Sequence, residues 1–388
     1  MKPMEVRTMA RAYLDNSATT QPCEAAVEAM VNCMREGFYN PSSVYAPAVA
    51  QFKRMRETRE NILKAVHGMG CDLYFTSGGT ESNNLAIIGS VAKMRGRQIV
   101  AVSAVEHPSV REAFEHLEEL GHEVRTIGVN EKGEPDWEAL EKAVNDGASL
   151  VSFMQVNNEI GAKLDVEKLH GIVNGRALIH VDGVQGFMRV PFDMKYADMY
   201  TVSSHKIHGP KGVGALIVKK GVRLAPRQIG GGQESGMRSG TENTPGIAGF
   251  DAAVREFQKM GPDMPDALMQ KKLHLIEVFK KAVPDLLING PDPENAAPHI
   301  VNLSFPNVRG EVMLHALEAD GIYASTGSAC SSKKLKVSSV LTAMGIRPDR
   351  AEWALRFSLS PHTTIEEIDY AAEKLGSTYD LLKRFRRR

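Results

Sequence analysis

Cysteine is scarce in this chain: four residues, Cys23, Cys33, Cys71 and Cys330, in 388. They show no CxxC and no metal-like spacing, which excludes a disulfide framework and leaves no metal site to expect. Long apolar runs are missing as well. No stretch approaches the roughly 20 residues that a membrane-spanning helix needs, so no membrane partner is expected. Met1 to Arg11 is polar and lacks the apolar core of a secretion signal, which makes the cytoplasm the expected location. Net charge is zero, with 47 basic and 47 acidic residues, so no global field draws the chain to nucleic acid or to a lipid surface. The one asymmetry is Lys383, Arg384, Arg386, Arg387 and Arg388 at the C-terminus. Such a cluster is either a solvated helix end or a docking site for RNA or an acidic partner. Internal repeats and low-complexity segments are also lacking.

What is present is an ordinary globular composition, 43% apolar and 24% charged, in a chain long enough for one large and one smaller unit. Short apolar runs rich in β-branched or aromatic residues read as seven strands: Leu73–Thr76, Ile99–Ser103, Val124–Gly128, Leu150–Val156, Ala177–Val181, Met199–Ser203 and Gly214–Val218. Amphipathic helical patterns lie between several of them, at Glu81–Lys93, Val110–Leu120, Trp137–Val144 and Val166–Val173. This alternation predicts an α/β fold with a mainly parallel seven-stranded sheet covered by helices on both faces. Past Gly221 a Gly-rich segment, Gly230–Gly240, precedes a helix from about Gly246, and Gly261–Pro265 reads as a break. Strand-like His299–Leu303 and Arg356–Leu359 with helical Glu311–Asp320 and Ile365–Leu382 then suggest a smaller α+β unit. The expected division is 16–261 for the large domain, with 1–15 and 262–388 forming the small one.

Several fragments carry chemistry. In Phe75-Thr76-Ser77-Gly78-Gly79-Thr80-Glu81-Ser82 a strand runs into a Gly-Gly turn and a helix start. Such a turn offers N–H groups at the positive end of a helix, where a phosphate is stabilised, with the Thr80 hydroxyl as a further donor. The alternative is a tight turn capped by Thr80 or Ser77. Lys206 follows a strand among small and hydroxylic residues, in Thr201-Val202-Ser203-Ser204-His205-Lys206. It reads as an imine-forming amine or as an exposed turn lysine. Asp182, in Ile179-His180-Val181-Asp182-Gly183-Val184-Gln185, stands at the strand end where open α/β sheets bind ligands. A carboxylate there keeps a pyridinium nitrogen protonated, or caps a helix. His107 in Glu106-His107-Pro108 and Asn157 in Val156-Asn157-Asn158-Glu159-Ile160-Gly161 follow the same strand-end logic. Ring stacking with proton transfer suits the first and an amide contact to a ligand suits the second, beside plain loop and turn roles. Cys330 is the centre of Ser325-Thr326-Gly327-Ser328-Ala329-Cys330-Ser331-Ser332-Lys333-Lys334. Small neighbours and the nearby Lys333, Lys334 and Lys336 favour an exposed thiolate over a buried apolar thiol. Cys33, by contrast, sits in an apolar helical pattern, and Cys71 opens a strand.

Together these fragments resemble the cysteine desulfurases of the NifS/IscS type, which are fold-type-I, class V aminotransferase-like enzymes that use pyridoxal 5'-phosphate (PLP). The resemblance runs from Tyr13-Leu14-Asp15-Asn16-Ser17-Ala18-Thr19-Thr20 to Arg356-Phe357-Ser358-Leu359, through TSGGTESNN, VNNEIG, HVDGVQ, SSHKIHGPKG, GMRSGTEN and GSACSS. It implies that Lys206 binds PLP covalently, His107 stacks on the ring, Asp182 pairs with the ring nitrogen and Gln185 bonds the phenolic oxygen. Gly79, Thr80, Ser203 and His205 would hold the phosphate, with Thr241 supplied by the partner of a homodimer. Asn157 and Arg356 would grip cofactor and substrate carboxylate. The implied reaction converts L-cysteine to L-alanine and leaves the sulfur on Cys330 as a persulfide, for an acceptor protein. The loop after Cys330 resembles the longer-loop branch of the family. Its basic CSSKK is more similar to desulfurases paired with a tRNA 4-thiouridine synthase than to those dedicated to iron–sulfur scaffolds. Departures are small: Gly79 and Ser204 stand where relatives often carry Ala and Gly, and Gly183 where Ala is common.

Overall fold

The structure is a computed structural model that describes residues 12–327 and 337–385. In chain order its elements begin with β1 (Ala12–Tyr13), α1 (Glu24–Glu36), α2 (Ala46–Ala65), β2 (Asp72–Thr76), α3 (Gly79–Val91) and β3 (Ile99–Ser103). Next come α4 (Pro108–Glu119), β4 (Glu123–Ile127), α5 (Trp137–Asn145), β5 (Ala148–Met154), α6 (Val166–Val173), β6 (Leu178–Asp182), β7 (Met199–Ser203) and β8 (Gly214–Val218). The remainder is α7 (Thr244–Lys259), α8 (Met264–Ala282), β9 (Leu287–Asn289), β10 (Ile300–Ser304), α9 (Gly310–Ala319) and β11 (Ile322–Tyr323). It ends with α10 (Ser339–Ala343), α11 (Pro348–Glu352), β12 (Ala354–Ser358) and α12 (Ile365–Phe385).

Seven strands form one sheet in the order β2-β8-β7-β6-β5-β3-β4. The run from β7 to β4 is parallel throughout, and β8 lies antiparallel between β7 and β2. Strands β7 and β8 are buried at every position, because helices cover both faces. Helix α4 buries Val110, Ala113, Phe114 and Leu117, one stripe at helical spacing. Helix α3 is different. It is buried continuously from Leu85 to Val91, and at Gly89 a Cβ would fall 2.9 Å from the Ala225 carbonyl, so only glycine lets that segment pack so closely. Strand direction and helical coverage agree with the fold-type-I expectation.

The later part of the chain builds an antiparallel sheet, β12-β10-β9, while β1 pairs with β11. Single bridges join Asp15 to Ser358 and Ser325 to Arg356, which draws the N-terminal strand, β12 and the segment before residue 328 together. Element boundaries shift by one to three residues from the sequence reading. Strand β5, for example, stops at Met154 because Gln155 bonds the Asp182 carbonyl and Val156 pairs instead with Lys163. The break read at Gly261–Pro265 is a short link. Gly261 turns the chain at φ +77°, and Pro265 already lies in the first turn of α8.

Candidate active site

Strands β2, β3, β5, β6 and β7 all point their carboxyl ends to the same edge of the sheet, and the predicted site residues follow those ends. Asp182, the last residue of β6, is buried. Its Oδ1 accepts the Val184 N–H at 2.9 Å, and its Oδ2 accepts the Asn83 amide at 2.8 Å. Asn83 also donates to Ser109 Oγ at 2.9 Å, and that hydroxyl lies 2.8 Å from His107 Nδ1. Asp182 and His107 are therefore the ends of one hydrogen-bonded chain. The Ser109 backbone N–H donates to His107 Nδ1, so the neutral ring carries its proton on Nε2. Burial lowers the His107 pKa, Asp182 opposes that, and Lys206 adds to the lowering. Glu106 accepts the Met154 N–H at 2.6 Å, and burial with the nearby Asp182 pushes its carboxyl pKa well up.

The β2–α3 turn carries the residues read as a phosphate site. Gly78, at φ +152°, is the helix N-cap, and no side chain caps α3. The alternative reading, a cap from Thr80 or Ser77, is thereby corrected: Thr80 is exposed, and the Ser77 N–H donates to Glu81, which Arg238 also binds. Ser203 Oγ is buried, has no partner among the described residues, and lies 3.8 Å from where a Cβ on Gly78 would stand. A Cβ on Gly79 would approach Val184 to 2.7 Å. His205 meets Thr19 Oγ1 at 3.2 Å, and burial followed by Lys206 lowers its pKa to about 4. Thr241 is exposed, in a segment whose neighbours Gly240 and Glu242 line a cleft with Ser77.

Lys206 Nζ donates to the carbonyls of Ser17 at 2.6 Å and Ala18 at 2.8 Å. The Gln185 amide donates to the same Ser17 carbonyl at 2.8 Å. Asn157 is buried, with Oδ1 accepting from Glu159 and Ile160 and Nδ2 donating to the Val105 carbonyl. Its amide thus shapes its own turn in this structure. The Arg356 guanidinium donates to the Asn158 carbonyl at 2.9 Å and to Asp15 at 2.7 Å, while its buried Nε has no partner among the described residues. Cys330 lies outside the described residues.

The sequence profile of class-V aminotransferases matches residues 12–371. Cysteine desulfurase IscS 1 of Archaeoglobus fulgidus is 40% identical over 374 residues, covering 96% of this chain and 97% of that protein. Among solved structures, a NifS-like protein superposes with a TM-score of 0.89 at 33% identity, covering 96% of this chain and all of the other. A structure titled SspA in complex with cysteine superposes at 0.78 with 28% identity, over 91% of this chain. The chain belongs to the class-V aminotransferases, among the cysteine desulfurases of the NifS/IscS type.

Members of this family are PLP enzymes, and the residues here fit that cofactor. An uncapped glycine turn and a Ser203 hydroxyl without a partner among the described residues suit a phosphate, and a buried carboxylate and an imidazole stand at the strand ends beside Lys206. Sequence reasoning passed over several residues that organise this desulfurase site. Asn83 links Asp182 to His107 through Ser109, Asp15 pairs with Arg356, and Arg189 donates to the Lys206 carbonyl and to Gln185. Asn83 and Asp15 lie inside quoted fragments, but only contacts across the fold reveal what they do. Arg189 carried no sequence signal at all.

Proposed function

We propose that this protein removes the sulfur of free L-cysteine, releases L-alanine, and holds the sulfur on Cys330 as a persulfide. The observation that carries the reading is the bridge between Ser325 and Arg356, whose guanidinium stands beside Asp15 at the site edge. Cys330 follows Gly327 by three residues, a span of at most about 11 Å of chain.

PLP, when bound, supplies an electron sink for the charge left on the substrate Cα. The protein's residues do the rest. Lys206 holds the cofactor and then, as a free amine, takes the Cα proton. Asp182 keeps a proton on the pyridine nitrogen, a role its buried position and the Asn83 bond suit. His107 lies against the ring, and Gln185 offers its amide to the phenolic oxygen. Gly79, Thr80, Ser203 and His205 hold the phosphate. Arg356 receives the substrate carboxylate through its unpartnered Nε, and Asn157 shapes the floor of that corner. The Cys330 thiolate then attacks the substrate sulfur. One C–S bond breaks and one S–S bond forms; the proton given up by the thiol goes to the alanine Cβ, and Lys206 returns the proton it took to Cα.

The homodimer belongs to the same proposal, with Thr241 reaching the partner's phosphate cradle. Exposed Phe38, Val44, Tyr45, Phe52 and Ile229 support it, since apolar side chains this large are costly in water. Lys333 and Lys334 favour a tRNA 4-thiouridine synthase as sulfur acceptor over an iron–sulfur scaffold. Among the described residues no helix is long and apolar enough to cross a membrane.

Mass spectrometry after incubation with L-cysteine, without reductant, tests the reading. One added sulfur on the Cys330 peptide, absent in Lys206→Ala, is the expected result. No added sulfur and no alanine from protein with PLP bound would sink it.

A further inference from the structure

Arg189 is buried to 1% exposure, and among the described residues no acidic side chain pairs with it. An unpaired buried charge is costly, so what surrounds it matters. The guanidinium donates to the main-chain carbonyl of Lys206 and, at 3.3 Å, to Gln185 Oε1, while its Nε has no partner among the described residues. Gln185 in turn donates to the Ser17 carbonyl, which also accepts from Lys206 Nζ. These bonds close a ring: Arg189, Gln185, Ser17, Lys206 and back to Arg189. Two members of the ring are the residues read as cofactor contacts.

The turn that aims Arg189 inward is specific. Gly183 to Arg189 is a tight turn, ending on Met188 at φ +63°. It closes over Gln155, whose side chain occupies the space that a Cβ on Gly186 would need. The other groups near Arg189 are basic too. His205, His208 and His299 all feel its charge, and burial keeps each of them neutral. Among the described residues, cationic and neutral basic groups with no paired carboxylate surround the guanidinium, which suits an anionic oxygen, and two neutral carbonyls only partly repay its charge.

We propose that Arg189 is a positioning residue for the cofactor, acting through Gln185 and the Lys206 main chain rather than by touching the reacting atoms. It holds the Gln185 side-chain carbonyl, which leaves the amide N–H not given to Ser17 for the cofactor's phenolic oxygen. Its positive charge behind that amide favours the ionised form of the oxygen and disfavours a proton on the adjacent imine nitrogen. This inference rests on the assignment of PLP to Lys206 and Gln185 above.

The test uses the full-length protein with PLP bound, in Arg189→Met and Arg189→Lys, and follows the pH midpoint of the bound cofactor's visible absorbance. Loss of the charge in Arg189→Met should raise the midpoint by about one pH unit and speed PLP release about tenfold. Arg189→Lys should recover the midpoint more than the release rate, because the ammonium keeps the charge and loses the fork. Should the methionine variant not fold, Arg189→Lys in a Gln185→Leu background decides: a role through Gln185 predicts that the lysine substitution, which speeds PLP release in the wild-type background, no longer does so there. An unmoved midpoint in Arg189→Met, with only thermal stability reduced, would overturn the proposal. So would a lysine-variant increase in PLP release that survives in the Gln185→Leu background. Borohydride reduction that fixes PLP on Lys206 keeps such a failure confined to Arg189. Fixation on another lysine would overturn the underlying assignment and this one with it.

Discussion

A Cβ on Gly183 would fall 2.0 Å from the Tyr200 ring, and the Tyr200 hydroxyl donates to Gln155 Oε1 at 2.6 Å. The departure at residue 183, glycine where the family commonly has alanine, is thus matched by a bulky partner on the neighbouring strand. Ser204, a second of the three departures, fills the place where a Cβ on Gly209 would lie 2.0 Å from its Oγ. Gly183→Ala should therefore cost about 2 kcal/mol or more of stability through overpacking, and adding Tyr200→Leu should recover part of it. Urea unfolding of the single and double variants checks this. Failure of the second substitution to recover anything would mean that the turn, not the ring, decides the residue. Gly183 was visible in the sequence, yet its contact was not, because Tyr200 lies 17 positions away and meets it only when β6 and β7 pair; Ser204 and Gly209 share one local turn.

At the scale of elements, the strand ends were readable and the ties between them were not. The seven strands announce themselves by short β-branched runs, so residues at their carboxyl ends could be gathered into one site before any coordinates. Glu159 shows what that reasoning omits. Its buried carboxylate accepts from Ser338 Oγ at the start of α10, and a Cβ on Gly327 would lie 2.8 Å from the same oxygen. One side chain thus touches both stems of the segment that carries Cys330. Burial raises the Glu159 pKa, while Ser338 and then Arg356 lower it. Glu159→Ala should slow alanine release tenfold or more, about the cost of a misplaced reacting group, while the absorbance change on adding L-cysteine persists. Equal loss of both signals would show a collapsed site instead of loosened stems.

For the whole molecule, acid stability follows from histidines held neutral inside it. His180 is fully buried, bonded between Ser152 Oγ at 2.8 Å and Thr201 Oγ1 at 3.1 Å, and so ties β5, β6 and β7 together. Burial lowers its pKa to about 3. Below the ordinary histidine value of about 6.5 the unfolded chain binds a proton that the folded chain refuses. Stability from this group is complete above that pH and is lost as pH falls toward 3, at about 1.4 kcal/mol per pH unit. Glu106, with its raised carboxyl pKa, works in the opposite direction. Comparing unfolding free energies of wild type and His180→Gln between pH 6.5 and 4 isolates the histidine. A variant slope no shallower than that of wild type would refute the assignment. By itself the sequence determined the α/β class, the strand ends that carry Asp182 and Lys206, and the family, because period, turn residues and short fragments are local properties. Only the tertiary structure decided that Asn83 joins Asp182 to His107, that Asn157 spends its amide on its own turn, and that Arg189 stands uncompensated behind Lys206. Those facts depend on which atoms meet when distant strands and turns pack, and chain order does not record it.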